Sequence, residues 1–309
     1  MSLFKNRTFT KLKSLLYIGV RLINTLIYPY VQLCNMLRFN GKLRILVYHK
    51  VYPVTDKSKI DDWCVSAKSF SEQMNLLSSG GYNVLSVDEA LRHLQTRTRF
   101  PAKAVCVTFD DGYQNNYQYA FPALVQYRIT ATFYVTTEYL GTDRPFAWIK
   151  PAGNAQNALH QKPLNWQEIA EMRRQGIEFA SHSHTHPDFS KIDHSQIKRE
   201  LLESRRLLSK HLDSPGNSFV CPYGIWGGNS GVLKELLRHN GYSGSFLGKW
   251  GAVTLKTDRF DLPRIIIYGE DSINTFKRKI DGAYDWFGFF HAYYHYLRLL
   301  INRRGEKHV

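Results

Sequence analysis

Two short segments contain side chains whose types and spacing could bind a metal ion. In the first, an apolar run leads into Thr-Phe-Asp-Asp-Gly-Tyr, so that Asp110 and Asp111 are neighbours. In the second, another apolar run leads into His-Ser-His-Thr-His, with His182 and His186 four residues apart. One carboxylate and two imidazoles form a three-ligand set suited to a catalytic metal that keeps a position open for water.

The remaining carboxylate of the Asp pair is a candidate general base. Neighbouring carboxylates at a strand end point in different directions, so one can bind the metal while the other accepts a proton from the attacking water. Gly112 permits a tight turn directly after the pair. Asp-Asp-Gly is also a common turn sequence, so the pair taken alone leaves a purely structural interpretation open.

The histidine segment has a similar alternative. A spacing of four places His182 and His186 on one face if the segment forms a helical turn. In this register His184 faces the other way, and we expect it to support the site rather than to bind the metal. A surface loop with incidental histidines is the competing interpretation. Three histidines within five residues, together with an Asp pair elsewhere in the chain, favour the metal site.

A third segment contains a candidate for stabilising negative charge on a reacting oxygen. Pro222, Tyr223 and Gly224 follow a short apolar run, and a Pro-Tyr-Gly turn exposes backbone N–H groups. Such a donor, placed opposite a metal, can stabilise an oxyanion. The pattern is too short to be specific by itself.

The elements that position these segments alternate along the chain. Apolar runs predict strands at residues 44–48, 82–85, 104–109, 131–135, 177–180, 219–221 and 265–268. Amphipathic stretches predict helices at residues 70–77, 86–94, 121–127, 166–175, 195–212 and 231–240. This alternation predicts a parallel sheet with helices outside it. The motifs directly follow strand ends, which is the catalytic face of an α/β barrel.

The composition indicates a globular protein with one main domain. The chain has 309 residues, of which 43% are hydrophobic and 22% are charged, and α/β barrels commonly use about 200–250 residues as one unit. The formal net charge is +15, but the basic residues are dispersed and no nucleic-acid-binding motif accompanies them. We therefore expect no nucleic-acid partner. The four cysteines form no Cys-x-x-Cys pair.

Both ends of the chain differ from the main domain, which we place at residues 42–285. Residues 1–41 are basic and apolar, without a clean run of about 18 apolar residues or a cleavable signal-peptide pattern. They predict either an amphipathic helical segment at an anionic membrane surface or a helix packed on the domain. Residues 286–309 form an aromatic and basic tail. Residues 141–163 form a long connection that we expect to border the site.

The three motifs, in this order and spacing, resemble the polysaccharide deacetylase family, also called the NodB-homology domain. Residues 45–51 and 262–265 resemble the branch that contains biofilm poly-N-acetylglucosamine deacetylases, and the resemblance covers residues 43–285. It implies an α/β fold, namely a distorted (β/α) barrel of about seven parallel strands. It also implies a divalent metal, with zinc as the first choice and nickel, cobalt or iron as alternatives.

The resemblance also implies roles for individual residues. The metal ligands would be Asp111, His182 and His186, and the general base would be Asp110. The oxyanion and substrate residues would be Pro222, which lines the groove, and Tyr223, which also provides a backbone N–H.

Two features depart from the family pattern. Many relatives carry an Arg just before the Pro-Tyr segment that holds the base, whereas this chain has Phe-Val-Cys there. Arg264, from a later strand, could supply that cation, or it could form an ordinary surface ion pair. A late Leu-x-His, whose histidine acts as general acid in many relatives, has no clear equivalent. His49 ends the first predicted strand and is expected near the site.

The expected activity is therefore metal-dependent hydrolysis of N-acetyl groups on amino sugars of a polysaccharide or glycoconjugate. The expected partner is an acetylated glycan, and the expected location is bacterial, at the cell envelope or associated with a membrane. An O-acetyl esterase or a non-sugar amidase could use the same site. The missing Arg and the unassigned acid leave a further alternative, a carbohydrate-binding protein on a catalytically decayed fold.

Overall fold

The computed structural model describes residues 19–20, 22–33, 41–54, 63–148, 162–224, 230–286 and 288. Its strands are β1 (Leu43–Tyr48), β2 (Lys50–Tyr52), β3 (Cys64–Ser66), β4 (Asn83–Val84), β5 (Ala104–Phe109), β6 (Thr132–Val135), β7 (Glu178–Ser181), β8 (Ser218–Val220), β9 (Gly244–Trp250) and β10 (Leu262–Ile266). Its helices are α1 (residues 22–33), α2 (Ala67–Ser79), α3 (Val87–Thr96), α4 (Phe121–Tyr127), α5 (Trp166–Arg174), α6 (His194–His211), α7 (Ser230–His239) and α8 (Ile273–Asp281).

Seven parallel strands close into a barrel. The ring runs β1-β10-β9-β8-β7-β6-β5, and β5 pairs back onto β1 along its whole length. β4 pairs with the start of β5 outside this ring, and β2 and β3 form a separate two-stranded sheet. The predicted distorted (β/α) barrel of about seven strands is thereby confirmed.

The strands are buried on both sides, as expected for a parallel sheet covered by helices. Successive residues alternate between two apolar clusters. Ile45 and Cys106 belong to one cluster, whereas their neighbours Leu46 and Val107 belong to the other, which also contains residues of α2, α4, α5 and α8. Much of the aromatic content is used in this packing, and the Phe109 ring stacks on the next strand's Phe133 ring at a centroid distance of 4.3 Å.

Most predicted helices begin and end close to the expected residues because capping signals mark them. Ser86 accepts a hydrogen bond from the backbone of Glu89, whose side chain bonds back to Ser86, so a capping box starts α3. The Asp193 and Gln196 pair starts α6 in the same way. The outer helices therefore follow from local sequence signals.

The later part of the barrel was predicted less well. The strand expected at residues 265–268 lies instead at Leu262–Ile266, because the Tyr268 N–H turns away to donate to the Asp271 carboxylate. β9 and α8 were not predicted. Gly244 and Gly248 weaken the strand signal of β9, but Gly248 is required, since a Cβ there would lie 2.6 Å from the Gly224 carbonyl oxygen.

α8 covers β10 through a buried ion pair. The Lys279 ammonium donates to the Asp271 carboxylate and to the Ile266 carbonyl oxygen, at 2.9 Å for the latter. Both charged side chains are at most 1% exposed. Because each charge has a partner, the pair is compatible with burial, although removing one member would leave the other uncompensated.

The two chain ends are described only in part. α1 packs against the main domain, whereas residues 1–18, 34–40 and 289–309 lie outside the described residues, as do residues 149–161 of the predicted long connection. Among the described residues, no helix is long and apolar enough to cross a bilayer. The domain boundaries at residues 41 and 285 stay predictions.

Candidate metal centre

The Asp pair lies at the carboxyl end of β5. The Asp110 N–H donates to the Tyr48 carbonyl of β1 at 2.9 Å, which anchors the end of β5 to the ring. Asp111 then adopts a left-handed backbone conformation with φ of 74°, followed by Gly112 with φ of 90°. Both carboxylates are buried. The turn therefore directs two adjacent charges into the protein, and this backbone strain is typical of functional sites.

Asp111, His182 and His186 converge as predicted. Asp111 Oδ1 lies 3.3 Å from His182 Nε2 and 3.4 Å from His186 Nε2. One donor atom from each of the three buried residues lies within 4.8 Å of the others. This is a compact donor set of one carboxylate oxygen and two imidazole nitrogens.

The hydrogen bonding of His182 indicates that a positive centre belongs between these groups. Its Nδ1 lies 2.9 Å from the Val220 carbonyl oxygen, which can only accept, so Nδ1 carries the proton. In the neutral ring, the Nε2 lone pair then faces the Asp111 carboxylate. Two acceptors facing each other in a buried site are unfavourable unless a proton or a metal cation lies between them, and this donor set fits a divalent metal.

The pKa values of Asp111 and His182 agree with this demand, whereas burial lowers the pKa of His186. Burial alone would raise the pKa of Asp111, but the hydrogen bonds with His182 and His186 outweigh it and hold the value well below the usual range. Burial alone would lower the pKa of His182, but its hydrogen bond with Asp111 and the charge of Asp110 raise it overall. Both shifts favour positive charge beside the Asp111 carboxylate.

The histidine segment is not the helical turn that we expected. Ser183 and His186 have positive φ values of 67° and 64°, so the chain reverses sharply after β7. The Ser183 N–H donates to the Ser181 hydroxyl, and the His186 N–H donates to the Ser183 hydroxyl at 3.0 Å. The two imidazoles meet because of this turn rather than because of helical spacing. His184 points elsewhere, and its Nδ1 lies 3.0 Å from the Thr137 hydroxyl.

A buried carboxylate from α6 holds the same turn. Glu200 accepts hydrogen bonds from the backbone N–H groups of His184 and Thr185, at 2.8 and 2.7 Å. The Thr185 hydroxyl donates to its other oxygen at 2.8 Å. Our sequence analysis missed Glu200. The available signal was a glutamate on the buried side of α6, next to Leu201.

Arg264 and Asp110 form a bidentate pair. The two guanidinium nitrogens lie 2.7 and 2.8 Å from the two oxygens of Asp110. The side chains are 13% and 4% exposed, so this is not the surface ion pair considered as the alternative. Burial by itself would raise the pKa of Asp110, but Arg264 outweighs it and lowers the value. The guanidinium that pairs with Asp110 therefore comes from β10.

His49 lies beside the site, at the carboxyl end of β1. Burial lowers its pKa, while the charges of Asp111 and Asp110 act in the opposite direction. Its ring packs against Trp63 with centroids 4.6 Å apart. The side chain is partly exposed to solvent.

Aromatic rings enclose His186 on two sides. Trp148 stacks on the imidazole at a centroid distance of 3.8 Å, and the half-exposed Tyr223 meets it edge-on at 4.7 Å. Tyr223 has φ of 58°, and the preceding Pro222 is buried. Our sequence analysis missed Trp148, which belongs to the long connection expected to border the site.

The fold and this site define a class of protein that the sequence comparison also identifies. The family model described as polysaccharide deacetylase matches residues 97–243. Over these residues, which are just under half of the chain, the protein is similar to that family, whose members are hydrolases.

The individual relatives are bacterial. The poly-beta-1,6-N-acetyl-D-glucosamine N-deacetylase of Staphylococcus aureus strain MRSA252 is 25% identical over 244 residues, which cover 76% of this chain and 78% of that protein. The Streptococcus pyogenes deacetylase PplD, solved in complex with acetate, superposes with a TM-score of 0.66 at 24% identity, covering 77% of this chain and 98% of that one. IcaB from Ammonifex degensii gives 0.59 at 22% identity, with 78% and 97% covered. These two structures share the fold.

Proposed function

We propose that the enzyme removes N-acetyl groups from amino sugars of a polysaccharide, using a divalent metal held by Asp111, His182 and His186. The observation that carries this proposal is the buried three-donor group beside an Asp110 that Arg264 keeps ionised. The substrate class is extended from the Staphylococcus aureus relative, whose name gives poly-beta-1,6-N-acetyl-D-glucosamine.

The donor set determines which metals fit. One carboxylate oxygen and two imidazole nitrogens suit zinc first, with nickel, cobalt and iron as alternatives. A divalent ion bound by these residues would supply Lewis acidity, polarising the acetyl carbonyl and lowering the pKa of a bound water.

Asp110 is proposed to accept the proton of the attacking water. A general base must be ionised, and Arg264 lowers the pKa of Asp110 despite its burial. The bidentate contact also fixes the orientation of the carboxylate. Arg264 therefore acts on the reaction through Asp110, by holding its charge and its direction.

His49 is proposed to protonate the leaving amine. In amide hydrolysis the water oxygen bonds to the carbonyl carbon, the C–N bond breaks, and the nitrogen must gain a proton to leave as an amine. His49 is a partly exposed imidazole at the carboxyl end of a barrel strand and is coupled to both carboxylates. Its placement supports the role that the sequence left unassigned.

Tyr223 and Pro222 are proposed to form the opposite wall of the site. Tyr223 has a left-handed backbone conformation and its ring contacts His186, which supports its N–H as the candidate donor to the developing oxyanion. The Tyr223 and Trp148 rings around His186 provide apolar faces against which a sugar ring can pack.

Acetate release from a panel of acetylated glycans tests this proposal. We expect release from oligomers of β-1,6-linked N-acetylglucosamine, loss of release with a chelator, and recovery when zinc is restored. Release only from O-acetylated glycans would instead support the esterase alternative. Release only from a non-sugar acetamide would support the amidase alternative.

A further inference from the structure

α1 contacts the main domain partly through polar side chains. Asn24 is fully buried, and its side-chain oxygen accepts a hydrogen bond from the Trp286 indole at 2.8 Å. The Tyr28 hydroxyl donates to the Asp281 carboxylate at the end of α8 at 2.6 Å, and Val31 adds an apolar contact with the core. An amphipathic helix of a globular domain normally turns its apolar side inward, so this helix is oriented in an unusual way.

The outer side of α1 carries an exposed apolar stripe. Its members and their exposed fractions are Leu22 (62%), Ile23 (47%), Leu26 (79%), Tyr30 (70%) and Leu33 (50%). Most of them recur every three or four residues, which places them along one side of a helix. A single exposed Leu is ordinary, whereas a contiguous row of apolar side chains marks a surface that another partner covers.

The charge of the surrounding chain identifies the kind of partner. Residues 1–41 contain no Asp or Glu and six basic residues: Lys5, Arg7, Lys11, Lys13, Arg21 and Arg38. Residues 286–309 add four Lys and Arg against one Glu, with seven Phe, Tyr and Trp. That tail begins at Trp286, whose indole donates a hydrogen bond to Asn24 of α1.

We propose that α1 binds an anionic phospholipid bilayer, lying in the interface with its apolar stripe toward the acyl chains. Apolar area and electrostatic attraction to anionic lipids act together in helices of this kind. Pairing of two stripes in a dimer is disfavoured, because it would bring together two segments of strong positive charge in a chain of net charge +15. The contact is peripheral and needs no spanning helix.

The position of α1 on the domain also determines which way the catalytic face would point relative to a bound bilayer. Asp281 receives hydrogen bonds from both Tyr28 and Tyr82, and Tyr82 directly precedes β4. Asp285 pairs with Arg44 near the start of β1. α1 is therefore attached at the amino-terminal ends of the strands, whereas the candidate metal centre lies at their carboxyl ends. A bilayer bound by α1 would leave the site facing away from the membrane.

Vesicle co-sedimentation of the full chain tests the binding. We expect binding to vesicles of phosphatidylglycerol and phosphatidylcholine, weak binding to phosphatidylcholine alone, and weakening as salt rises from about 0.1 M to about 1 M. The Leu22→Gln/Leu26→Gln variant should bind at least about tenfold more weakly. The matched control is Leu202→Gln/Leu255→Gln, which changes two exposed leucines elsewhere, at 44% and 37% exposure, and should bind like the parent. Circular dichroism checks that both variants are folded.

Equal binding by the stripe variant and the parent would overturn the proposal, as would equal binding to neutral and anionic vesicles.

Maleimide labelling in a Cys34→Ser background tests the orientation. Leu26→Cys should label quickly in free protein and become protected by anionic vesicles, whereas Asp143→Cys, beyond the carboxyl end of β6, should stay accessible. If Leu26→Cys labels slowly without lipid, the chain itself covers the stripe. If the protection of Leu26→Cys increases with protein concentration, a second copy covers it.

Discussion

Asp110 and Asp111 are neighbouring carboxylates whose different partners give them different tasks. Asp110 faces a guanidinium from β10, while Asp111 faces two imidazoles from the turn after β7. Both have pKa values held low against the effect of burial. The sequence predicted the pair, but it could not show that Arg264 contacts Asp110, because the two residues lie 154 positions apart along the chain.

The Asp110→Asn variant tests the division of roles. Its amide cannot accept the water proton, so kcat should fall by about 10²–10⁴-fold. The bound metal should stay at the parent level, because Asp111, His182 and His186 are intact. Acetate release and metal analysis on the same sample give both values. Unchanged acetate release would contradict the assignment of the base.

Among the elements, the site depends on the turn after β7, whose conformation the sequence did not predict. The histidine spacing suggested a helical turn, whereas two left-handed residues and hydrogen bonds to Glu200 produce the convergence. Positive φ at Ser183 and His186 has no sequence signature comparable to glycine. Glu200 was missed because its partners are backbone N–H groups, which a residue pattern does not display.

The Glu200→Gln variant tests whether α6 positions the ligands. A glutamine would present an amide that cannot accept all three hydrogen bonds in the same orientation, so the turn should loosen. Metal affinity, measured by competition with a chelator, should fall by about 10–100-fold. Activity at saturating metal should largely recover. The control is Glu203→Gln on the same helix, where the glutamate pairs with Arg206 at the surface. If Glu200→Gln and the parent bind the metal with equal affinity, Glu200 does not position the ligands.

The contact between α1 and α8 should depend on pH through Asp281. Burial alone would raise the pKa of Asp281, but the hydrogen bonds from Lys277, Tyr28 and Tyr82 lower it overall. A carboxyl with a lowered pKa in the folded state stabilises the fold above its unfolded pKa, near 4, and loses that contribution as pH falls. The stability difference between parent and Asp281→Asn should therefore be constant at neutral pH and shrink below about pH 4. Urea unfolding across pH measures it, and a pH-independent difference would contradict this account.

At the scale of the whole molecule, alternating local signals predicted the barrel, and the strand ends located its catalytic face. The elements that were not predicted, β9 and α8, are those in which tertiary contacts override the local sequence preference for strand or helix. β9 contains Gly248, which the close approach of the Pro222–Gly224 turn requires. α8 carries a lysine on its buried side, which a helical apolar pattern would not predict.

The buried pair of Lys279 and Asp271 should contribute to overall stability only while both members are present. Asp271→Asn leaves a buried ammonium without its counter-charge, so it should destabilise the fold by about 3–5 kcal/mol. The double variant Asp271→Asn/Lys279→Met removes the stranded charge and should regain much of this loss. Urea unfolding of the parent, single and double variants measures both. If Asp271→Asn is as stable as the parent, loss of the Asp271 carboxylate does not destabilise the fold.

The central claim is that the Asp111, His182 and His186 group binds the metal on which deacetylation depends. The most direct measurement is a titration of chelator-treated protein with zinc, following bound metal and acetate release from an N-acetylglucosamine oligomer together. We predict that activity rises in proportion to bound zinc until one ion is bound per chain, and that His186→Ala neither binds the ion nor gains activity. Full acetate release by the metal-free protein, or full activity of His186→Ala, would contradict the account.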